Sequence, residues 1–129
     1  MTISLGGIGT LWFRSIVTVY VKPARYTHQF MDDNDYFTVS FYPEKYRDAL
    51  TLMGSRSGRD IDKDAASGLT VKDLGKAITY EEAEETLLCK KIYKQDLDTE
   101  AMPAEVVQEY YSEDAPHTMY LGEVVEIIR

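Results

Sequence analysis

The hydrophobic positions of the chain change period several times, and each change marks an element. SIVTVYVK (15–22) alternates: Val17, Val19 and Val21 fall on one side and Thr18 and Tyr20 on the other, the pattern of a β-branched strand with one buried face. HQFMDDND (28–35) reads as a short helix, and YFTVSFY (36–42), rich in aromatic and β-branched residues, as a second strand. In PEKYRDALTLMG the period becomes helical, with Tyr46, Ala49, Leu50 and Met53 on one face. Pro43 suits the first turn of that helix and Gly54 its C-terminal cap. DIDKDAAS (60–67) can start a further helical turn, PAEVVQEYY (103–111) reads as a helix, and HTMYLGEVVEIIR (117–129) as a closing strand. EEAEETLLCKKIYKQ (81–95) is open between two readings: its helix formers and Glu-to-Lys spacings favour a helix, while TLLCKKIY also fits a half-buried strand.

No internal repeat and no linker divides these elements, so residues 1–129 form one domain with one sizeable core. A composition of 44% hydrophobic and 28% charged residues is that of a globular protein. The only cysteine, Cys89, allows no intrachain disulfide, which fits a reducing compartment. The start lacks the cationic stretch of a signal peptide, and IVTVYV is too short to span a bilayer, so a cytoplasmic protein without a membrane partner is expected.

Charge changes the picture more than composition does. Of the net −8, residues 1–78 contribute +1 (ten Lys/Arg, nine Asp/Glu), residues 79–114 contribute −8 (three and eleven), and residues 115–129 contribute −1 (one and two). The acidic block reads as a solvated face. A nucleic-acid partner would require a basic stripe, and none is present. The one cationic concentration is GSRSGRDIDK (54–63), where Arg56, Arg59 and Lys63 surround Ser55, Ser57 and Gly58 at the end of a predicted helix. Such a loop can turn several backbone N–H groups into one concavity, about the size of a single small anion. The competing reading is that these cations pair with Asp60, Asp62 and Asp64.

Other chemical signatures are absent from the sequence. In GGIGTLW (6–12) the third glycine of a dinucleotide fingerprint is missing, and there is no Walker-type GK[ST]. His28 and His117 have no spacing partner for a zinc site. Cys89, although beside Lys90 and Lys91, reads as a buried and inert thiol.

MTIS with GGIGTLW, KPARYT, DYFTVSFYPEKYRDAL, GSRSGRDIDK with GL, CKKIYKQDLD and HTMYLGEV, taken in this order along nearly the whole chain, resemble the flavin reductase-like, FMN-binding split-barrel family. The resemblance implies a mainly β fold, a Greek-key split β-barrel with flanking helices, in which TLLCKKIY is a barrel strand. It implies a homodimer with FMN near the subunit interface and a nicotinamide, NAD(P)H, as electron donor. Ser57, Gly58, Arg59 and Lys63 match the family's phosphate-binding positions. Thr27, and Thr2 and Ser4 of MTIS, match positions along the ribityl chain and isoalloxazine edge. Trp12 and Arg25 are supporting candidates, Trp12 having a plain core role as its alternative.

Family members carry further strand-forming sequence before the MTIS element, so N-terminal strand(s) of the barrel are expected to be missing here. Many also have a tryptophan where Leu5 stands, and leucine cannot cover a flavin ring as an indole does. The resemblance implies an FMN-dependent oxidoreductase, a flavin reductase passing electrons to free flavin, iron or a partner, with no catalytic side chain. An FMN electron carrier without nicotinamide oxidation, or a flavin-free dimeric interaction module, are the alternatives.

Overall fold

In the computed structural model, which describes all residues from Met1 to Arg129, the alternating segments assemble around a single antiparallel sheet. Strands β1 (Gly6–Leu11) and β2 (Arg14–Val21) form a hairpin in register from Gly6↔Val19 to Leu11↔Arg14. Strand β7 (Thr118–Ile128) pairs with β2 from Ile16↔Glu123 to Val21↔Thr118, and β6 (Glu85–Asp96) pairs with β7. Strand β3 (Tyr36–Phe41) pairs with the other side of β6, giving the order β1-β2-β7-β6-β3. The sheet does not close on itself: β1 and β3 are its two edges, as in the expected split barrel.

The ambiguous segment around Cys89 is thus a strand. Helix propensity loses there because a helix would leave the facing edges of both β3 and β7 unpaired, at a cost that a few tenths of a kcal/mol per residue of propensity cannot offset. Register shifts at Leu88/Cys89 and Lys91/Tyr93 bend this long strand around the core.

Val17, Val19 and Val21 of β2 lie on the core side, as their period predicts, and pack with Met31, Phe37, Leu87, Cys89 and Tyr120. Only 17 of 129 residues are buried, so the core is one narrow layer rather than a thick interior. Its packing is tight at Gly122, where an added Cβ would stand 2.5 Å from Phe37 Cζ and 2.8 Å from Cys89 Cβ.

Helix α1 (Thr27–Asp33) lies against this core through Met31. Polar contacts fix it: Tyr120 Oη donates to Asp32 Oδ1 at 2.7 Å, Lys94 Nζ lies 2.8 Å from the same oxygen, and His28 Nε2 is 2.9 Å from Thr118 Oγ1. A 3-10 turn (Glu44–Tyr46) leads into α2 (Arg47–Ser55), followed by α3 (Lys63–Ser67). Gly54 is not the cap of α2, contrary to the sequence reading; it lies inside the last turn, where an added Cβ would stand 3.1 Å from Thr2 Cβ, and Arg56 is the C-cap. This glycine serves the close approach of the N-terminal segment. Strands β4 (Val71–Asp73) and β5 (Ile78–Tyr80) form a small hairpin that the hydrophobic pattern did not reveal. It is tied to the main sheet by Thr38 Oγ1 donating to Ile78 O at 2.6 Å and by a triangle of hydroxyls from Ser40, Thr79 and Thr86. Helix α4 (Ala104–Tyr110) lies between β6 and β7, and no helix is long and apolar enough to cross a membrane.

The β1–β2 turn is unusual in its residues. Trp12 (φ 53°) and Phe13 (φ 58°) both adopt the left-handed conformation of a type I′ turn, for which Asn-Gly is the ordinary choice. Their side chains are 57% and 102% exposed, so Trp12 belongs to neither the core nor the groove described below.

Candidate functional site

The inner face of β2 and β3, the start of α1, the end of α2 and the loop after it line one open groove of about 1650 Å³. Pockets for single small molecules span roughly 300–1,000 Å³, so this one has room for a nucleotide and a second ligand. Val17, Val19, Phe37 and Val39 form its apolar floor, and Thr2, Ser4, Leu5 and Thr27 stand on its walls.

At one end lies the cationic loop. Asp62, Asp64 and their neighbours do not neutralise it: Arg25, Arg56, Arg59 and Lys63 take part in none of the molecule's ion pairs. Instead, Asp62 is the N-cap of α3, accepting from Ala65 N at 3.2 Å, and Asp64 accepts from Tyr80 Oη at 2.6 Å. Burial, and then that bond to Asp64, raise the Tyr80 pKa well above its ordinary 10.0. The pairing alternative left open by the sequence is therefore not what the aspartates do.

The cations are positioned by backbone carbonyls. Lys63 Nζ donates to Met53 O at 2.7 Å, and both terminal nitrogens of Arg25 donate to Gly54 O at 3.1 Å. These oxygens belong to the last turn of α2, where the helix dipole favours positive charge. Burial, and then Arg25, lower the Lys63 pKa from 10.5. The Met1 ammonium feels the same field: burial, Lys63 and Arg25 lower its pKa to about 6. An ammonium with three N–H groups and a guanidinium with five keep donors free after these carbonyl contacts.

Ser57 and Gly58 are on the groove wall. Ser57 Oγ accepts from Arg59 N at 3.1 Å, and Ser57 O accepts from the N–H groups of Asp60 (3.0 Å) and Ile61 (3.2 Å), so this serine shapes the turn. Gly58 lies against Tyr26; an added Cβ would stand 3.1 Å from Tyr26 Cδ2. Arg59 is turned outward: its guanidinium carbon sits 4.7 Å from the Tyr26 ring centroid, and Nη1 donates to Ala24 O at 3.3 Å. Arg59 does not line the groove, whereas Arg56 does; the Arg56 backbone N–H donates to Leu52 O at 3.1 Å, and its side chain makes no hydrogen bond within the protein.

Of the other predicted residues, Thr2 donates from Oγ1 to Leu50 O, which pins the N-terminal segment to α2. Ser4 is exposed beside the groove, and Thr27 is half-buried at the start of α1. Leu5 is 51% exposed at the rim, leaving that end of the groove uncovered by any aromatic ring of the N-terminal segment. Sequence reasoning passed over Tyr26 and left Arg56 out of the site. Tyr26 lies inside the quoted KPARYT, and its signal is visible only once Gly58 is seen to pack on it. Cys89 is fully buried, and burial pushes its thiol up to about 12, so it is inert as expected.

An open antiparallel sheet with a groove on its inner face, flanked by short helices, defines a split-barrel protein. The profile of the flavin reductase like domain matches residues 14–129, and the chain belongs to the flavin reductase-like family. The match begins at β2, so Thr2, Ser4 and β1 lie outside it. Among solved structures, the chain is similar to an FMN-binding protein from Thermus thermophilus with bound p-hydroxybenzaldehyde (20% identity, TM-score 0.71, covering 94% of this chain and 58% of that one). It is similar to the flavoredoxin of Desulfovibrio vulgaris (22%, 0.71, 95% and 57%) and to an NADH:FAD oxidoreductase of Streptomyces globisporus (17%, 0.69, 96% and 63%). At these identities the likeness is one of fold. The chain spans less than two-thirds of the length of each of these proteins. No curated protein matches it.

Proposed function

We propose that the groove binds FMN and that the protein is an oxidoreductase of the flavin reductase type, taking electrons from NAD(P)H. The observation that carries this reading is that three cations on the groove, Arg25, Arg56 and Lys63, form no ion pair with a carboxylate, although Asp60, Asp62 and Asp64 line the same groove. A phosphate monoester with close to two negative charges is the ligand class such a set is suited to hold.

In this reading the loop of Ser57, Gly58, Arg59 and Lys63 forms the phosphate end, Thr27 and Ser4 stand along the ribityl chain and ring, and Thr2, bonded to Leu50 O and packed on Gly54, supports the end of α2 beside Arg25. Charge-assisted hydrogen bonds contribute roughly 1.5–3 kcal/mol each, and micromolar affinity needs about 8 kcal/mol after ordering costs. Three or four phosphate contacts suffice for that, even with Leu5 at the exposed rim. Bound FMN would supply the hydride-accepting and electron-transferring chemistry. The chain's part is to anchor the phosphate, to lay the ring along the apolar floor, and to leave the remaining groove volume for the electron donor or acceptor.

We also propose a homodimer. Support comes from the β1–β2 hairpin, where Ile8 (65% exposed), Leu11, Trp12 and Phe13 are exposed apolar residues clustered along an open sheet edge. Monomers seldom leave such a cluster and edge to solvent.

The test is to load the purified protein with FMN, record its visible spectrum, and follow NADH and NADPH oxidation at 340 nm with oxygen, free flavin or ferric iron as acceptor. Nicotinamide oxidation that depends on both FMN and this chain supports the reading. A protein that holds FMN but does not oxidise nicotinamide is an electron carrier, and one that takes up no flavin is an interaction module.

A further inference from the structure

Resting on the FMN reading, we infer that Arg56, which lies outside the family's SGR positions, is the arginine that contacts the ligand's anionic group, and that Arg59 is a positioning residue for the loop. The two side chains leave the same short turn but are in different situations. Arg56 is the C-cap of α2, lines the groove, and has all five of its donors uncommitted to protein. Arg59 lies off the groove wall, with its guanidinium over the Tyr26 ring at 4.7 Å and Nη1 on Ala24 O at 3.3 Å.

The difference decides which arginine is recruited. An anion that takes Arg56 displaces only water from it. Arg59 also keeps donors free, but it is held off the groove, and swinging it onto a groove-bound anion breaks both a cation–π contact and a carbonyl hydrogen bond, which together disfavour that route by roughly tenfold. Arg59 has a separate use where it is. Tyr26 packs on Gly58 on one side of the loop, stands edge-on to Phe30 at 4.9 Å, and precedes Thr27 directly in the chain. By stacking on Tyr26 and bonding to Ala24, Arg59 fastens the Ser57–Gly58 turn to the segment that leads into α1. The loop is held in shape by one arginine and charged for the ligand by the other, with Lys63 and Arg25 fixed behind it.

The experiment compares Arg56→Ala, Arg59→Ala and the wild-type chain by fluorescence titration with FMN and with riboflavin, which lacks the phosphate. Arg56→Ala is expected to weaken FMN by about tenfold or more and to leave riboflavin unchanged, as loss of a charge-assisted contact requires. Arg59→Ala is expected to shift both flavins by the same small factor, and Arg59→Lys to recover little of it, since an ammonium does not reproduce a stacked guanidinium. A selective FMN loss in Arg59→Ala, with Arg56→Ala neutral, overturns the assignment.

A second measurement needs no flavin. In the NMR spectrum of the wild-type chain, inorganic phosphate should move the Arg56 Nε–Hε signal and leave that of Arg59 in place; the reverse overturns the assignment whatever the flavin result. If neither flavin binds while phosphate still moves Arg56, the FMN reading fails and the arginine assignment stands.

Discussion

The Lys63 ammonium donates to the Met53 carbonyl at 2.7 Å and to no carboxylate. This relationship ties the anion site to the C-terminal end of α2: the helix holds the cation in place through a partial negative charge and leaves most of its positive charge for a ligand. A carboxylate partner would have held the side chain as firmly but cancelled it electrostatically.

The pH dependence of binding follows from that geometry. Burial and Arg25 lower the Lys63 pKa from 10.5 in the free protein, and an adjacent phosphate raises it again. FMN affinity is then full from neutral pH up to the free-protein pKa of Lys63 and declines as pH rises through the higher pKa of the complex. Riboflavin affinity should stay flat over the same alkaline range. Parallel titrations of the two ligands check this, and Lys63→Met should remove the pH dependence together with part of the FMN affinity.

Gly122 provides a test of the narrow core. Gly122→Ala forces a methyl group against Phe37 and Cys89 in the tightest part of β7, where overpacking costs about 1–3 kcal/mol. Urea denaturation should show this loss. An unchanged midpoint would mean that Phe37 has room to move, and that the layer is looser than described.

Tyr120 and Asp32 join β7 to α1. Asp32 has its pKa lowered, chiefly by the Lys94 hydrogen bond, with Tyr120 and His28 adding to the effect. A depressed carboxyl stabilises the fold above its unfolded pKa, and that contribution is lost as pH falls through the folded one. Tyr120→Phe should therefore reduce stability by about 1 kcal/mol at neutral pH, a modest figure because Asp32 can turn to water. The difference from wild type should shrink below the ordinary carboxylate range. Equal destabilisation at both pH values would assign the effect to packing alone.

The Trp12–Phe13 turn separates folding from assembly. Replacing the pair by Asn-Gly relieves two strained residues and should raise the melting temperature of the monomer. It also removes two of the four exposed apolar side chains of the hairpin, so the same double variant should shift the sedimentation profile toward monomer. A variant that sediments as the wild type does would remove the hairpin from the proposed interface.

Most of the architecture was legible from periodicity. The period-two run at Val17, Val19 and Val21 and the helical run from Ala49 to Met53 lie in the elements they predict, because each element turns one face to the interior, while Tyr46 falls in the 3-10 turn before α2. Strand β6 was not settled by pattern: Glu, Lys and Leu favour a helix locally, and only pairing with both β3 and β7 decides otherwise. Strand β1 was hidden by its three glycines and its lack of a buried face, and β4 and β5 by their length of three residues. At the site, composition marked the cationic loop, since four small residues and three cations in ten positions form a local signal. Which cation faces the groove depends on side-chain direction at a turn, which spacing does not encode. For the same reason the aspartates looked like ion-pair partners in sequence, yet in space Asp62 caps α3 and Asp64 binds Tyr80.

The most direct measurement of the central claim is the ratio of FMN to riboflavin affinity for the purified, unmodified chain, taken by flavin fluorescence at moderate salt. Phosphate anchoring by un-neutralised cations predicts one FMN per chain, bound at least tenfold more tightly than riboflavin, with the ratio falling as salt is raised. Equal affinity for the two flavins, or no binding of either, would contradict it.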